Sequence, residues 1–383
     1  MIRYTSILLC LAVLALVALG LVMLTSTGTW ARGFGPDHLP YHFLTRQALM
    51  VVVGLVAAAG ASVFPLERLR MFTPWLLVAA CILLVLCFVP GIADPQYGSN
   101  RWIKMPFIGQ FQPSEAAKIV IVLALAAWFA RWQTEVQTFW RGFIIPGILA
   151  GIPILLIAGE TDVGSALSIS AAVGAMMFCV GTRLAFILPT TILAASGAFW
   201  YLMHDSVRRS RIDAWLDLAN HQQDQGMQQW RALLALGNGG PWGVGLGNGV
   251  EKFGTLTFAH IDFIFPVVGE ELGLPFTLGV VFCYVLIAIG GCGIALQANT
   301  LFNRCLALGL TCVLVVPAIQ NIAVTTALLP NDGLPLPFVS YGGTSLVFSL
   351  AAVGMLIGIH RRSHVRVVQE FPLTQQTRLA VRL

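Results

Sequence analysis

The sequence predicts an all-α polytopic membrane protein with ten transmembrane helices, and three observations carry that prediction. Only 10% of the 383 residues are charged and 57% are hydrophobic, whereas a soluble domain carries about 25% charged residues. The mean hydropathy of +0.82 points the same way. The apolar residues also run in unbroken stretches of roughly the 20 residues that cross a hydrocarbon core, not in short alternating segments of a barrel. A cytosolic enzyme, a disordered chain and a secreted disulfide scaffold are thereby excluded. The eight cysteines all lie in apolar runs, with no CxxC pair and no nearby histidine, so they read as small buried hydrophobes.

The first stretch, near 6–25, is apolar from Ile7 to Leu24. It is longer than a signal-peptide core and has no clear cleavage site, so a retained first span is expected. Further spans are expected near 47–64, 73–91, 115–131, 142–158, 163–180, 184–203, 266–297, 304–328 and 340–359. The eighth is too long to lie wholly in hydrocarbon. With ten spans both termini share a side. One set of loops holds twelve basic and three acidic residues, and the other holds ten basic and fourteen acidic. Five of those ten basic residues (Arg208, Arg209, Arg211, Arg231, Lys252) sit in one long loop, which the positive-inside rule discounts. Both termini are therefore expected to be cytoplasmic. The polar segments 92–114, 159–162, 329–339 and a large loop at about 204–265, between spans seven and eight, then lie outside. The basic tail 361–383 reads as a membrane-surface anchor. No soluble domain or linker interrupts the single membrane domain over 1–383, and no nucleic-acid partner is expected.

Five polar segments could carry chemistry. Gly98-Ser99-Asn100-Arg101-Trp102-Ile103 leads through Lys104 to Gln112-Pro113-Ser114-Glu115-Ala116-Ala117-Lys118. Pro113 suits a first helical turn, and Glu115 and Lys118 share a helix face. The pair either fixes the helix entry, or Arg101, Lys104 and Lys118 supply cations to an anionic ligand. Glu160 and Asp162 precede a span, so they either cap it or hold a divalent cation or a basic partner. Gly237-Asn238-Gly239-Gly240-Pro241-Trp242-Gly243-Val244-Gly245-Leu246-Gly247-Asn248-Gly249 mimics a nucleotide fingerprint, but no strand precedes it; it either lays its backbone on a phosphate or turns tightly at the membrane surface, and the turn fits better. In Phe258-Ala259-His260-Ile261-Asp262-Phe263-Ile264-Phe265, followed by Gly269-Glu270-Glu271-Leu272-Gly273, Asp262 is flanked by apolar and aromatic residues. Partial desolvation would raise its pKa toward neutrality, as a general base requires, although an aspartate before a helix also serves as a cap. Finally, Leu329 to Ser345 forms a rigid proline- and glycine-rich turn that offers the hydroxyls of Ser340, Tyr341, Thr344 and Ser345.

GSNRWI…FQPSEAAK, ETDVGSA, GVGLGNG, AHIDFIF…GEELG and LPLPFVSYGGTS, in that order, resemble the SEDS family (shape, elongation, division and sporulation), from the first span to the last. GEELG and the Asp332–Phe338 run are closer to the FtsW division branch than to the RodA elongation branch. Asn100, Arg231, Ile261, Pro266 and the Asn331-Asp332 pair, which stands where Thr-Lys is usual, depart from the pattern. The resemblance implies a peptidoglycan glycosyltransferase that polymerises lipid II at the outer face of the bacterial cytoplasmic membrane. Asp262 would be catalytic, and Arg101, Trp102, Lys104, Glu115, Lys118, Asp162, His260, Ser340 and Tyr341 would surround the substrate. It also implies a class B penicillin-binding protein (an FtsI-like transpeptidase) and other divisome membrane proteins as partners. A divalent cation, magnesium or manganese, is compatible with diphosphate chemistry, although no metal ligand can be named. A lipid II flippase is the competing class, and a RodA-type elongation polymerase the competing role.

Overall fold

The computed structural model describes residues 5–28, 41–94, 99–105, 109–253, 256 and 258–369. Gly98 of the first polar motif and residues 370–383 of the tail lie outside them. The chain is a helical bundle. Its long helices are α1 (Thr5–Thr27), α2 (His42–Val63), α3 (Leu66–Leu86), α4 (Pro113–Arg131), α5 (Ile145–Gly159), α6 (Val163–Val180) and α7 (Leu184–His204). After α8 (Ser206–Leu216), α9 (Met227–Gly239) and α10 (Ile264–Leu272) come three more long ones, α11 (Leu274–Gln297), α12 (Leu301–Thr325) and α13 (Gly343–Gln369). Among the described residues nine helical segments are long and apolar enough to cross a membrane, and α7 adds a shorter apolar stretch, Leu184–Gly197.

One expectation is corrected and two details are added. The eighth stretch is not one helix: it breaks at Gly273, where φ is 78°, into α10 and α11. The break is local chemistry, because Pro275 suits the first turn of a new helix and has no N–H for the old one. The long loop is partly helical, since α8 and α9 lie within it. The fold also contains one small antiparallel hairpin between α3 and α4, with β1 (Ile103–Met105) facing β2 (Gly109–Phe111) and Lys104 opposite Gln110.

Burial separates the helices. The apolar window of α4 is 72% buried, against 17% for α2 and for α3. A helix that is apolar all round can face either protein or lipid, so hydropathy alone does not separate these cases. Packing does: α4 and α12 sit at the centre, with α3 and α6 against them, while α1 packs on α11. The most extensive helix pair is α2 with α13. There Gly354 and Gly358 face the backbone of Ala58 and Ser62, leaving no room for a Cβ on α13. Lipid tails offer no hydrophobic drive for helix association, so close approach through four-residue small-residue spacing supplies the van der Waals contact instead.

The polar connections collect at the end of the bundle where α12 stops and α13 begins. Trp215 of α8 donates to the Ala327 carbonyl (2.8 Å). Gln229 of α9 donates to the carbonyls of Val324 (2.9 Å) and Leu329 (2.7 Å). These bonds satisfy backbone acceptors that the end of α12 leaves open and seat α8 and α9 over it.

A second clamp fixes the Gly-rich loop. Gly243, Gly245 and Gly247 all take positive φ, which confirms its turning role. The Glu271 carboxylate accepts from the Gly247 N–H (2.9 Å), the Ser26 hydroxyl (2.6 Å) and the Lys252 ammonium (2.6 Å). Glu270 accepts from the Val250 N–H (2.9 Å). The two acidic residues of the GEELG motif thus act as anchors that tie the loop to α10 and to the end of α1.

Candidate active site

Four segments meet at this end of the bundle: the hairpin with the residues before it, the α5–α6 connection, the turn before α10, and the α12–α13 loop. Asp262 lies in that turn, half-buried. Burial pushes its carboxyl up to about 6. The Arg101 guanidinium opposes that rise, Asp162 adds to it, and Arg211 opposes it. Asn321 of α12 is buried and donates both to the Asp262 carbonyl (2.7 Å) and to the Leu334 carbonyl (2.7 Å). One amide therefore ties the Asp262 turn to the α12–α13 loop.

Arg101 stacks on Trp102, 4.5 Å from the ring centroid, and its Nη1 lies 3.6 Å from Asp162 Oδ1. Asp162 caps α6 by accepting from the Ser165 N–H (3.2 Å) and also accepts from the Gln112 amide (3.3 Å). It is both a helix cap and the partner of a cation, so the two readings of this residue are compatible. Lys118 pairs with Glu115 at 2.8 Å, both nearly buried. This pair lines a cavity together with Val313, Leu334, Pro337 and Phe348.

Other sequence-predicted residues are placed differently. Lys104 is exposed on the hairpin. His260 is buried with its ring 4.8 Å from Phe43, and burial lowers its pKa to about 4, so it is neutral at physiological pH. The Tyr341 ring stands edge-on to Phe43 at 4.9 Å, and its N–H donates to the His260 carbonyl (2.9 Å). The Ser340 hydroxyl accepts from the Leu336 N–H (2.7 Å). Tyr341 and His260 thus brace the turn that carries Asp262, while Ser340 closes a turn within the α12–α13 loop. Among the described residues no group of three or more His, Cys, Asp or Glu side chains is arranged to hold a metal by itself, and no step is routed through one.

Sequence reasoning assigned no site role to Asn321, Arg211 or Asp332. Asn321 carried the clearest signal, as a polar amide within an apolar span. Asp332 is pushed up to about 7, first by burial; the Leu334 N–H opposes this, while Asp262 and Asp162 add to it. Strain marks the same segments, because Thr161 and Phe338 take left-handed φ values of 66° and 68°.

Glu160 is 2% exposed, and neither carboxylate oxygen has a hydrogen-bond partner of normal geometry. Burial pushes it up to about 8, Asp162 raises it further, and the Cys87 thiol and Arg101 lower it. The fold therefore favours its protonated form. That contribution is fully present below the unfolded value near 4.5 and is lost as pH rises through about 8. Glu160→Gln is expected to raise stability by up to about 3 kcal/mol near neutral pH and by almost nothing near pH 4. Thermal unfolding in detergent at the two pH values checks this, and an equal gain at both would contradict it.

The fold and these residues define a class first: a multi-pass helical membrane protein with desolvated carboxyl groups gathered at one end of its bundle. The chain belongs to the FtsW/RodA/SpoVE family of cell cycle proteins, whose family model matches residues 6–365. It is 36% identical, over 94% of its own length and 95% of the relative's, to the probable peptidoglycan glycosyltransferase FtsW of Geobacter metallireducens. Among solved structures it resembles a chain of a peptidoglycan synthase complex that coordinates polymerization and crosslinking, with a TM-score of 0.77 and 26% identity over 93% of this chain and 97% of that one. It also resembles the rod shape determining protein RodA of Thermus thermophilus, with a TM-score of 0.65 and 26% identity over 92% and 95% of the two chains. The family and the FtsW-like branch expected from the motifs are borne out.

Proposed function

We infer that this protein is a peptidoglycan glycosyltransferase that polymerises lipid II into glycan strands at the outer face of the bacterial cytoplasmic membrane, in septal wall synthesis during division. Both termini face the cytoplasm, and a class B penicillin-binding protein supplies crosslinking. The observation that carries the reading is Asp262, a half-buried carboxylate raised toward neutrality and tied in place through its own carbonyl. Relatives named as probable peptidoglycan glycosyltransferases support it.

In this mechanism Asp262 removes the proton from the 4-hydroxyl of the acceptor sugar. The resulting oxygen attacks the anomeric carbon of the lipid-linked donor, the bond to the diphosphate breaks, and the configuration inverts. Undecaprenyl diphosphate leaves with its charge. Arg101, stacked on Trp102, and Lys118, oriented by Glu115, are the cations placed to offset that charge. Tyr341 holds the turn through the His260 carbonyl, Ser340 holds the α12–α13 loop, and the proton transfer is left to Asp262.

The test is glycan synthesis from lipid II in detergent, where no transport across a bilayer takes place, using the protein with its transpeptidase partner. Product is expected, with a rate that rises as pH passes about 6, because the base must be ionised. A flat rate from about pH 5 to about pH 8 would count against Asp262 as the base. No product from the complex would favour the flippase.

A further inference from the structure

Helix α2 is open to lipid along most of its length, and its buried residues are Phe43, Gln47 and Gly54. Gly54 meets Leu350 of α13. Phe43 and Gln47 lie at the end of α2 that meets the α12–α13 loop, and the mechanism above gives neither a task. Gln47 is 2% exposed. An amide this dry in an apolar helix is costly unless both of its ends find partners.

Both ends do. The Gln47 side-chain amide donates to the Ser340 carbonyl (3.1 Å), and its oxygen accepts from the Gly342 N–H (3.3 Å). Between those two residues, Tyr341 donates its own N–H to the His260 carbonyl (2.9 Å). Three consecutive backbone positions of the loop are thus held from two sides, by α2 and by the segment that leads into Asp262. Phe43, Gln47 and Met50 follow one another at helical spacing on one stripe of α2. The Phe43 ring lies 4.8 Å from His260 and 4.9 Å from Tyr341, and Met50 lies 3.1 Å from where a Cβ on Gly343 would stand. The loop is therefore tied to the Asp262 turn twice. Near its start the tie is Asn321, which donates to the carbonyls of Asp262 and Leu334. Near its end the tie is Tyr341, and Gln47 fixes the backbone on either side of it.

We propose that Gln47 is a positioning residue: its two-ended amide clamp sets the 340–342 backbone so that Tyr341 holds the His260 carbonyl and aims Asp262 at its substrate. The proposal rests on the glycosyltransferase reading. Without the clamp the Ser340 carbonyl and the Gly342 N–H lose their partners in a dry junction, and the loop shifts to recover hydrogen bonds elsewhere. A displacement of about 1 Å at a reacting group costs up to about 10²-fold in rate. Gln47 bonds to backbone and to none of the cations placed for the diphosphate, so its loss falls on the chemical step and leaves lipid II binding in place.

The experiment compares wild type, Gln47→Met and Gly358→Ala, each in complex with the transpeptidase partner. Methionine has a similar length and no N–H to donate. Gly358→Ala is the control for general helix packing, because its Cβ would stand 2.8 Å from the Ser62 carbonyl oxygen at the far end of the α2–α13 seam. Gln47→Met is expected to lower kcat by roughly 10- to 100-fold while KM for lipid II stays within about twofold. Backbone amide exchange is expected to quicken in both 338–343 and 258–263 and to stay unchanged in α12. Gly358→Ala is expected to lower the thermal midpoint and to keep kcat within about twofold of the wild type. An unchanged kcat in Gln47→Met overturns the proposal, as does an equal loss of kcat in Gly358→Ala, or exchange that quickens in 338–343 alone. Rapid exchange of the Tyr341 and Gly342 amides in the wild type overturns it whether or not the variants fold. Absence of product from the wild-type complex overturns the glycosyltransferase reading and the catalytic part of the proposal with it, and the exchange data then decide separately whether Gln47 holds the two segments together.

Discussion

Asp262→Asn is expected to reduce glycan polymerisation by about 10²–10⁴-fold, the usual contribution of a positioned general base. The asparagine fills the same volume, and the Asn321 hydrogen bond goes to the backbone carbonyl, which the substitution leaves intact. Removing a carboxylate that burial pushes up to about 6 also relieves a desolvation cost at neutral pH. The variant should therefore be inserted in the membrane, fold with a thermal midpoint no lower than the wild type, and still bind its partner. Rates of lipid II polymerisation by the purified complex decide the matter. Product formation within a factor of a few of the wild type would remove Asp262 from the mechanism.

The second large effect concerns stability. Lys252 and Glu271 form an ion pair at 2.6 Å with side-chain exposures of 1% and 0%, and Ser26 and the backbone of Gly247 complete their hydrogen bonds. Glu271→Ala leaves a buried ammonium without its counter-charge and strands the Gly247 N–H, and the expected cost is about 3–5 kcal/mol. Glu271→Gln keeps an acceptor but loses the charge, so its thermal midpoint should fall between the other two. A thermal midpoint for Glu271→Ala equal to that of the wild type would show that the clamp does not hold the loop. Asp262 activity serves as a second readout, because the clamp fixes the start of the segment that leads into the Asp262 turn.

Much of the site was legible in order along the chain but not in depth. The motifs singled out Asp262, Arg101, Asp162 and the Glu115–Lys118 pair, because charged residues stand out at the ends of apolar helices even where capping or helix entry also accounts for them. His260 and Ser340 were equally conspicuous in sequence, yet the fold turns them inward as braces, since a ring or a hydroxyl beside a turn can face either way. Asn321 attracted no notice, because its two acceptors lie 59 and 13 residues away in sequence. Asp332 stood out only as a departure from the family pattern. Its closeness to Asp262 depends on Gly164 and Gly333, which mean nothing as a pair until two loops meet.

By itself the sequence determined the class of protein, the approximate spans and the chemistry available at one end of the bundle. These follow from local quantities: the length of apolar runs, the side on which arginines collect, and the identity of a few polar residues. The tertiary structure alone decided which helices face lipid, where the eighth stretch breaks, and which carboxyl groups are dry enough to hold a proton near neutral pH. The reason is that desolvation and electrostatic coupling depend on the distance through space between groups brought together from α4, α6, α10 and α12, and no window along the chain contains that distance.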